Sequence, residues 1–405
     1  MSIRIKGARW SAAAAGIKNQ PKEQEPPLDL ALLELAKGSS VVAVFTQNAF
    51  CAAPVVIAKQ RVQTLSSQHN KNIYCLINSG NANAGTGQAG LQAVEQSTQA
   101  VAQAIACSAD DILPFSTGVI GEPLPVDPFA SSAMKLVSGL ADNNWQIAAE
   151  AIMTTDTVAK IESASVQIDG KTVEIAGIAK GAGMIKPNMA TMLSYIVCDA
   201  KIPQEALQSC LSASVNQSFN RITVDGDTST NDACVLAATA QGDVVLDQKH
   251  KAWPDLVAAI SGVLRKLAIA IIRDAEGASK FVQIDVRGGI DASECLQVAY
   301  TVAESPLVKT AFFASDANWG RVLAAVGRAG LKGLDVDKVE IILGDYLICK
   351  DGGRVFDYDE STASDIMQQQ EINLTININR GNAAETVWTS DLSHDYVRIN
   401  AEYRT

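Results

Sequence analysis

Lys180-Gly181-Ala182-Gly183-Met184-Ile185-Lys186-Pro187-Asn188-Met189-Ala190-Thr191-Met192-Leu193 is a glycine-punctuated turn that delivers one hydroxyl, that of Thr191, to the head of an apolar run. Residues 192–197 read as a buried strand, so Thr191 stands where a loop enters a core, a usual place for a functional residue. A β-branched residue also suits a strand start for purely structural reasons. Position alone therefore assigns nothing, and the surrounding chemistry has to decide.

A hydroxyl nucleophile needs a base, and the chain has only three histidines, His69, His250 and His394, all in polar surroundings. A Ser-His-Asp triad or a His-rich metal site has little raw material. Cleavage of the chain before Thr191 would solve the problem, because the new α-amine, with an ordinary pKa of about 7.7–8.0, is itself a base near neutrality. The preceding segment suits that route: glycines for freedom, Pro187 with its fixed φ, and a small Ala190 whose carbonyl the Thr191 hydroxyl could attack in an N-to-O acyl shift.

Composition narrows the rest. The chain has 405 residues, 47% of them hydrophobic, enough for a large core and for more than one domain. A net charge of -11 and a pI near 4.9 argue against nucleic-acid and anionic-membrane partners. Eight cysteines without any C-x-x-C pair read as reduced core thiols. No apolar stretch of about 18 residues reads as a membrane span, and the basic start (Arg4, Lys6, Arg9) has no hydrophobic segment after it. The expected location is the cytoplasm.

Around the key loop, residues 165–168 and 172–178 pair as a hairpin about Asp169-Gly170. Strands are expected at 40–45, 54–57, 72–78, near 243–246, and at 280–286, 339–343, 371–378 and 385–389. Helices are expected at 91–106, 130–141, 144–153, 203–215, 253–275 and 318–329, and a loop at 110–122. Strands and helices interleave too irregularly for a βαβ array, which favours a layered α+β fold.

Other motifs carry competing readings. Gly85-Thr86-Gly87-Gln88-Ala89-Gly90, between a strand and a helix, imitates a dinucleotide fingerprint. In the real motif the first glycine follows the strand end at once; here residues 79–84 intervene and no acidic ribose partner follows. Ser116-Thr117-Gly118-Val119-Ile120-Gly121-Glu122 is either turn punctuation or a loop whose backbone N–H groups build an oxyanion hole. Thr154-Thr155-Asp156-Thr157, the run from Arg273 to Lys280 and the polar end 400–405 either surround a site or are solvated. Asp225 to Asp232 imitates a calcium loop but lacks the bidentate glutamate at the twelfth position, and no metal or cofactor is assigned.

Taken together, Lys-Gly-Ala-Gly-Met-Ile-Lys-Pro-Asn-Met-Ala-Thr-Met-Leu, Ser-Thr-Gly-Val-Ile-Gly-Glu, Arg-Asp-Ala-Glu-Gly-Ala-Ser-Lys and the terminal Tyr-Arg-Thr closely resemble the ornithine acetyltransferases of arginine biosynthesis. The resemblance runs from about Gly16 to Thr405 and includes Val44 to Asn48, Asn81 to Ala84, Val224 to Asp232 and Asp316 to Arg321. Gly85 departs from it, since many relatives carry cysteine there.

This resemblance implies a layered α/β sandwich shared with self-cleaving aminopeptidases, and a precursor cut between Ala190 and Thr191. The two fragments, 1–190 and 191–405, would stay together, typically as an α2β2 heterotetramer. Thr191 would take the acetyl group from N-acetylornithine and pass it to glutamate in a ping-pong cycle, with Thr117 and Gly118 as the oxyanion hole. By the same matching Thr154, Lys180, Thr191, Glu276, Asn400 and Thr405 contact substrate. Some members also use acetyl-CoA, and no motif here decides that point. The alternatives are a related aminopeptidase, with water as acceptor, and a nucleotide-binding protein using the loop from Gly85 to Gly90.

Overall fold

The computed structural model describes residues 3–18, 25–65, 70–186 and 192–403. Ala190, Thr191 and Thr405 lie outside the described residues. The chain divides into two compact units, one of Met1–Gly181, Pro187–Asn220 and Thr228–Ile271, the other of Ala182–Lys186, Arg221–Asp227 and Ile272–Thr405.

In chain order the elements as far as residue 180 are β1 (Ala8–Ala13), β2 (Leu30–Leu35), β3 (Ser40–Phe45), α1 (Ala53–Thr64), β4 (Ile73–Asn81), α2 (Gly87–Ile105), β5 (Ile112–Val119), α3 (Asp127–Ser138), α4 (Trp145–Ala151), β6 (Lys160–Ile168) and β7 (Lys171–Lys180). Then follow β8 (Leu193–Cys198), α5 (Gln204–Asn216), β9 (Ile222–Thr223), β10 (Ala233–Ala238), α6 (Trp253–Arg273), β11 (Phe281–Gly289), α7 (Ala292–Ala303), α8 (Pro306–Phe313) and α9 (Trp319–Gly327). The chain closes with β12 (Glu340–Leu343), β13 (Tyr346–Lys350), β14 (Gly353–Arg354), α10 (Glu360–Met367), β15 (Glu371–Asn377), β16 (Ala383–Ser390) and α11 (His394–Ala401).

The first unit is built from two sheets, ordered β1-β2-β4-β5 and β3-β10-β8-β7-β6. Side chains alternate across a strand, and the alternation assigns each face. Leu33, Leu35, Cys75 and Ile77 share one core with Ile178, Tyr195, Val197 and Val235 of the other sheet. Leu30, Leu32, Tyr74 and Leu76 turn the opposite way, onto Val101 and Ala102 of α2 and Phe129, Ala133 and Leu136 of α3. On the outer face of the five-stranded sheet Gly177 admits Leu267 of α6, since a Cβ there would lie 3.2 Å from its Cδ1. The unit is therefore a helix–sheet–sheet–helix sandwich, the layered α+β class expected from the sequence. Each fully buried Leu or Ile contributes about 1.5–3 kcal/mol by its removal from water.

The second unit carries a mixed seven-stranded sheet, β14-β13-β12-β15-β11-β16-β9. Val282, Ile284 and Val286 of β11 pack with Ile372, Leu374 and Ile376 of β15 against Val298, Val302, Val322 and Val326 of α7 and α9.

The structure corrects several sequence expectations. Residues 54–57, read as a strand for their β-branched run, open helix α1, with Pro54 in the first turn, where no backbone N–H is needed. Residues 110–122, read as a loop, contain β5. It is an edge strand paired only with β4, so Pro114 costs no ladder bond on the paired side. The strand expected near 243–246 is a single bridge between Lys201 and Val245. Strand β10 and helices α7 and α8 were not anticipated.

Candidate active site

Thr117 and Gly118 lie near the end of the β5 pairing, opposite Ser79 and Gly80 of β4, where the register shifts between Gly80 and Asn81. Such a bulge releases backbone groups from the ladder and re-aims them. Gly118 has φ of 131°, and a Cβ there would come within 2.3 Å of the Gly80 carbonyl carbon. No side chain fits, so the glycine is what lets the two strands approach at the point where oxyanion donors are expected.

Lys180, the last residue of β7, reaches the same place: its buried ammonium donates to Thr117 Oγ1 at 3.1 Å. Beneath it lies Asp156, also buried. Its Oδ1 accepts from the Gly181 N–H at 2.7 Å and from Lys160 Nζ at 2.7 Å, and its Oδ2 accepts from the Thr154 N–H at 3.0 Å. Burial pushes this carboxyl upward, but the charges of Lys180 and Lys160 and the Gly181 N–H outweigh it and bring the pKa down to about 2. Asp156, which sequence reasoning did not single out, thus holds the Thr154 and Gly181 backbone, and its charge acts on the Lys180 that bonds Thr117. The i,i+4 spacing of Asp156 and Lys160 was the available signal.

A second set of buried polar groups holds the ends of β4 and β5. Asn231 Nδ2 donates to Ala82 O at 2.6 Å and to Ser116 O at 2.9 Å. Asn78 Oδ1 accepts from Ser116 Oγ at 2.6 Å. The glycine-rich loop is closed on itself: Asn83 Nδ2 donates to Gly90 O, Thr86 Oγ1 donates to Asn83 Oδ1, and a Cβ at Gly90 would lie 1.9 Å from Thr86 Oγ1. The glycine at 90 makes room for Thr86, and α2 starts only after an intervening loop. That geometry disfavours the dinucleotide reading, which needs a helix N-terminus directly behind the strand.

The second unit holds Glu276 and Asn400. Glu276 is buried; its N–H donates to Ala182 O at 3.0 Å, and its Oε2 accepts from Asn400 Nδ2 at 2.7 Å. Gly183 lies against it, for a Cβ there would be 2.3 Å from Glu276 Oε2. Asn400 rides on α11, whose start is capped by Ser393: its Oγ accepts from the Tyr396 N–H and donates to Gly277 O. Asp225 accepts from the Met184 and Ile185 N–H groups at 2.6 and 2.9 Å and from the Tyr396 hydroxyl at 3.3 Å. The supposed calcium loop therefore spends its first carboxylate on backbone. Among the described residues no group of three or more His, Cys, Asp or Glu is placed to hold a metal. Of the run after α6, Arg273 is solvated and pairs with Glu371, whereas Glu276 and Lys280 are buried.

Chemically, the first unit offers an ammonium, a hydroxyl and a strained glycine backbone, a set suited to anionic oxygen. The second offers a carboxylate and an amide, a set suited to an ammonium. All eight cysteines are free thiols, and no helix among the described residues is long and apolar enough to cross a membrane.

Comparison with known proteins gives concordant results. The ArgJ family matches residues 9–405. The arginine biosynthesis bifunctional protein ArgJ of Pseudomonas fluorescens is 51% identical over 405 residues, spanning 99% of this chain and 97% of its own length. The protein of the same name from Methylococcus capsulatus is 49% identical over 402 residues, spanning 99% of this chain and 96% of its own. The crystal structure of argJ from Bacillus halodurans aligns with a TM-score of 0.50 at 38% identity, covering 53% of this chain and 100% of that chain.

Proposed function

The chain belongs to the ArgJ family, an acyltransferase family of arginine biosynthesis, and on that premise we propose that it moves the acetyl group of N2-acetyl-L-ornithine to L-glutamate, giving L-ornithine and N-acetyl-L-glutamate. The observation that carries this reading is the cluster of Lys180, Thr117 and Gly118 at the β7 and β5 ends, from which the chain runs on towards Thr191.

In this reading the chain cuts itself between Ala190 and Thr191. The freed α-amine takes the Thr191 hydroxyl proton while Oγ attacks the acetyl carbonyl, and the tetrahedral oxygen is stabilised by Thr117 and Gly118. Collapse releases the ornithine amine, which receives the proton, and leaves acetyl on Oγ; glutamate's amine then attacks in the reverse sequence. Lys180 takes the substrate α-carboxylate and Glu276 the ornithine side-chain ammonium, with Thr154, Asn400 and Thr405 as further substrate contacts. Fragments 1–190 and 191–405 remain associated, as an α2β2 heterotetramer in the cytoplasm.

The test is the denatured intact mass of the parent beside a Thr191→Ala variant, followed by acetyl transfer from acetylornithine to glutamate. Two fragments and transfer activity from the parent, with an uncut, inactive variant, are expected; an uncut yet active parent would sink the mechanism. The relatives' designation as bifunctional favours acetyl-CoA as a second donor. N-acetylglutamate formed from acetyl-CoA and glutamate alone would confirm it, and its absence would leave a single-donor enzyme.

A further inference from the structure

Asp225 follows closely on β9, and the reaction proposed above gives it no role. Its carboxylate is nevertheless the point where the two walls around Glu276 are joined. One wall is the segment 182–186. Its Ala182 O accepts from the Glu276 N–H, and Gly183 lies so close to the Glu276 carboxylate that a Cβ would fall 2.3 Å from Oε2 and 2.5 Å from Oε1. The next residue, Met184, is held at φ of 53°, a conformation seldom adopted by residues other than glycine. Asp225 supplies what holds it: Oδ2 accepts from the Met184 N–H at 2.6 Å and Oδ1 from the Ile185 N–H at 2.9 Å, while the Val224 N–H donates to Ile185 O at 2.8 Å.

The other wall is α11. It abuts the residue after Glu276, since a Cβ on Gly277 would lie 2.5 Å from the Tyr396 nitrogen. Tyr396 is engaged at both ends: its hydroxyl donates to Asp225 Oδ2 at 3.3 Å, and its carbonyl accepts at 3.0 Å from the Asn400 Nδ2 that also donates to Glu276 Oε2. Burial, and then the negative charge of Asp225, push the pKa of that hydroxyl above its ordinary value, so it stays a donor. One carboxylate thus accepts from both walls, and all of these groups belong to the second unit.

We propose that Asp225 is the positioning residue for Glu276 and, through it, sets the preference of the site for an acetyl donor whose side chain ends in an ammonium. The inference rests on the reading of Glu276 as the partner of the ornithine ammonium. Asp225 acts through Glu276 and exchanges no proton. Asp225→Asn keeps the size of the side chain but turns an NH2 group toward either the Met184 N–H and the Tyr396 hydroxyl or the Ile185 and Asp227 N–H groups. Donor then faces donor, a wall comes loose, and Glu276 loses its fixed place.

The test is a double-mutant cycle of parent, Asp225→Asn, Glu276→Gln and the double variant. Each is assayed for acetyl transfer to glutamate from N2-acetylornithine and from N2-acetylnorvaline, which has the same carbon chain without the amine. The readout is the ratio of kcat/KM for the two donors, which a general loss of activity does not move. Glu276→Gln should lower the parent's ratio about tenfold or more, as one charge-assisted bond is lost. Asp225→Asn should lower it about tenfold, mostly through KM for acetylornithine, and should lower it no further when added to Glu276→Gln. A parent inactive on acetylornithine, or a Glu276→Gln chain with the parent's ratio, overturns the reading of the site and takes the inference with it. With Glu276→Gln impaired, a parent-like ratio in folded Asp225→Asn, or a further fall in the double variant, overturns the inference alone. Should Asp225→Asn fail to fold, Tyr396→Phe replaces it in the cycle. That change spares the Met184 and Ile185 bonds and should lower the ratio about threefold in the parent and not in Glu276→Gln; an unchanged ratio in the parent, or an equal fall in both, overturns the proposal.

Discussion

The carboxylate of Asp156 accepts from the Lys160 ammonium and from two backbone N–H groups in a buried site, with the Lys180 charge acting on it as well, which makes its protonation a stability switch. Its folded pKa of about 2 is below the ordinary 3.8, so the stabilisation is fully present above about pH 4 and is lost as pH falls from about 4 through about 2. At about 1.4 kcal/mol per unit this amounts to about 2 kcal/mol. Urea unfolding between pH 6 and pH 2 should show that loss in the parent and not in Asp156→Asn, which should be less stable already at pH 6; parallel pH curves for the two would refute the assignment. Gly118 yields a second prediction. Gly118→Ala drives a Cβ into the Gly80 backbone and displaces the proposed oxyanion donor, so kcat should fall about 10²- to 10³-fold. Retained kcat in a folded Gly118→Ala chain would remove residue 118 from the chemistry. At this scale the sequence singled out Thr117, Gly118, Lys180 and Glu276 because their motifs are contiguous. Asp156 and Asn231 stood inside quoted runs without a role of their own, because what they do depends on partners such as Gly181 and Ser116, which only folding brings within reach.

Among elements, the loop from Ala182 to Lys186 shows how one small residue sets the place of a buried carboxylate. Gly183 lies against the Glu276 carboxylate, Ala182 accepts from the Glu276 N–H, and Asp225 fixes Met184 and Ile185, with Met184 held at φ of 53°. Gly183→Ala forces the carboxylate away from Asn400. If Glu276 pairs with the ornithine ammonium, KM for acetylornithine should rise about tenfold, a weakening of that charge-assisted bond by about 1.4 kcal/mol, with a smaller change in kcat. A KM equal to the parent's would place the ammonium elsewhere. Long amphipathic elements were legible in the sequence, α6 above all, whose 21 residues keep one apolar face. Short ones misled for local reasons. The run Val55-Val56-Ile57 carries strand propensity, yet Pro54 in the first turn and the helical packing of Val55 and Ala58 prevail. In β5, Pro114, Ser116 and Gly118 look like punctuation, and only pairing along β4 makes them a strand.

For the whole chain, the proposed cut falls in the connection between neighbouring strands of one sheet. Strands β3, β6 and β7 belong to fragment 1–190, and β8 and β10 to fragment 191–405, in the order β3-β10-β8-β7-β6. The fragments therefore meet along two full ladders, β7 with β8 from Lys180–Leu193 to Ile175–Cys198 and β10 with β3 from Ala233–Phe45 to Ala238–Ser40. The inter-sheet core of Ile178, Tyr195, Val197 and Val235 with Leu33, Cys75 and Phe115 is likewise shared by both fragments. Neither fragment can leave without opening the central sheet and exposing that core to water, a loss of about 1.5–3 kcal/mol for each large apolar side chain. Cleavage thus removes a covalent link but no layer of the fold. Cleaved protein should elute as one species without denaturant, and across a urea series the fragments should separate only where the circular dichroism of the sheet is lost. Separation at a lower urea concentration, with the dichroism still native, would mean that the fragments are held by something other than the shared sheet and its core.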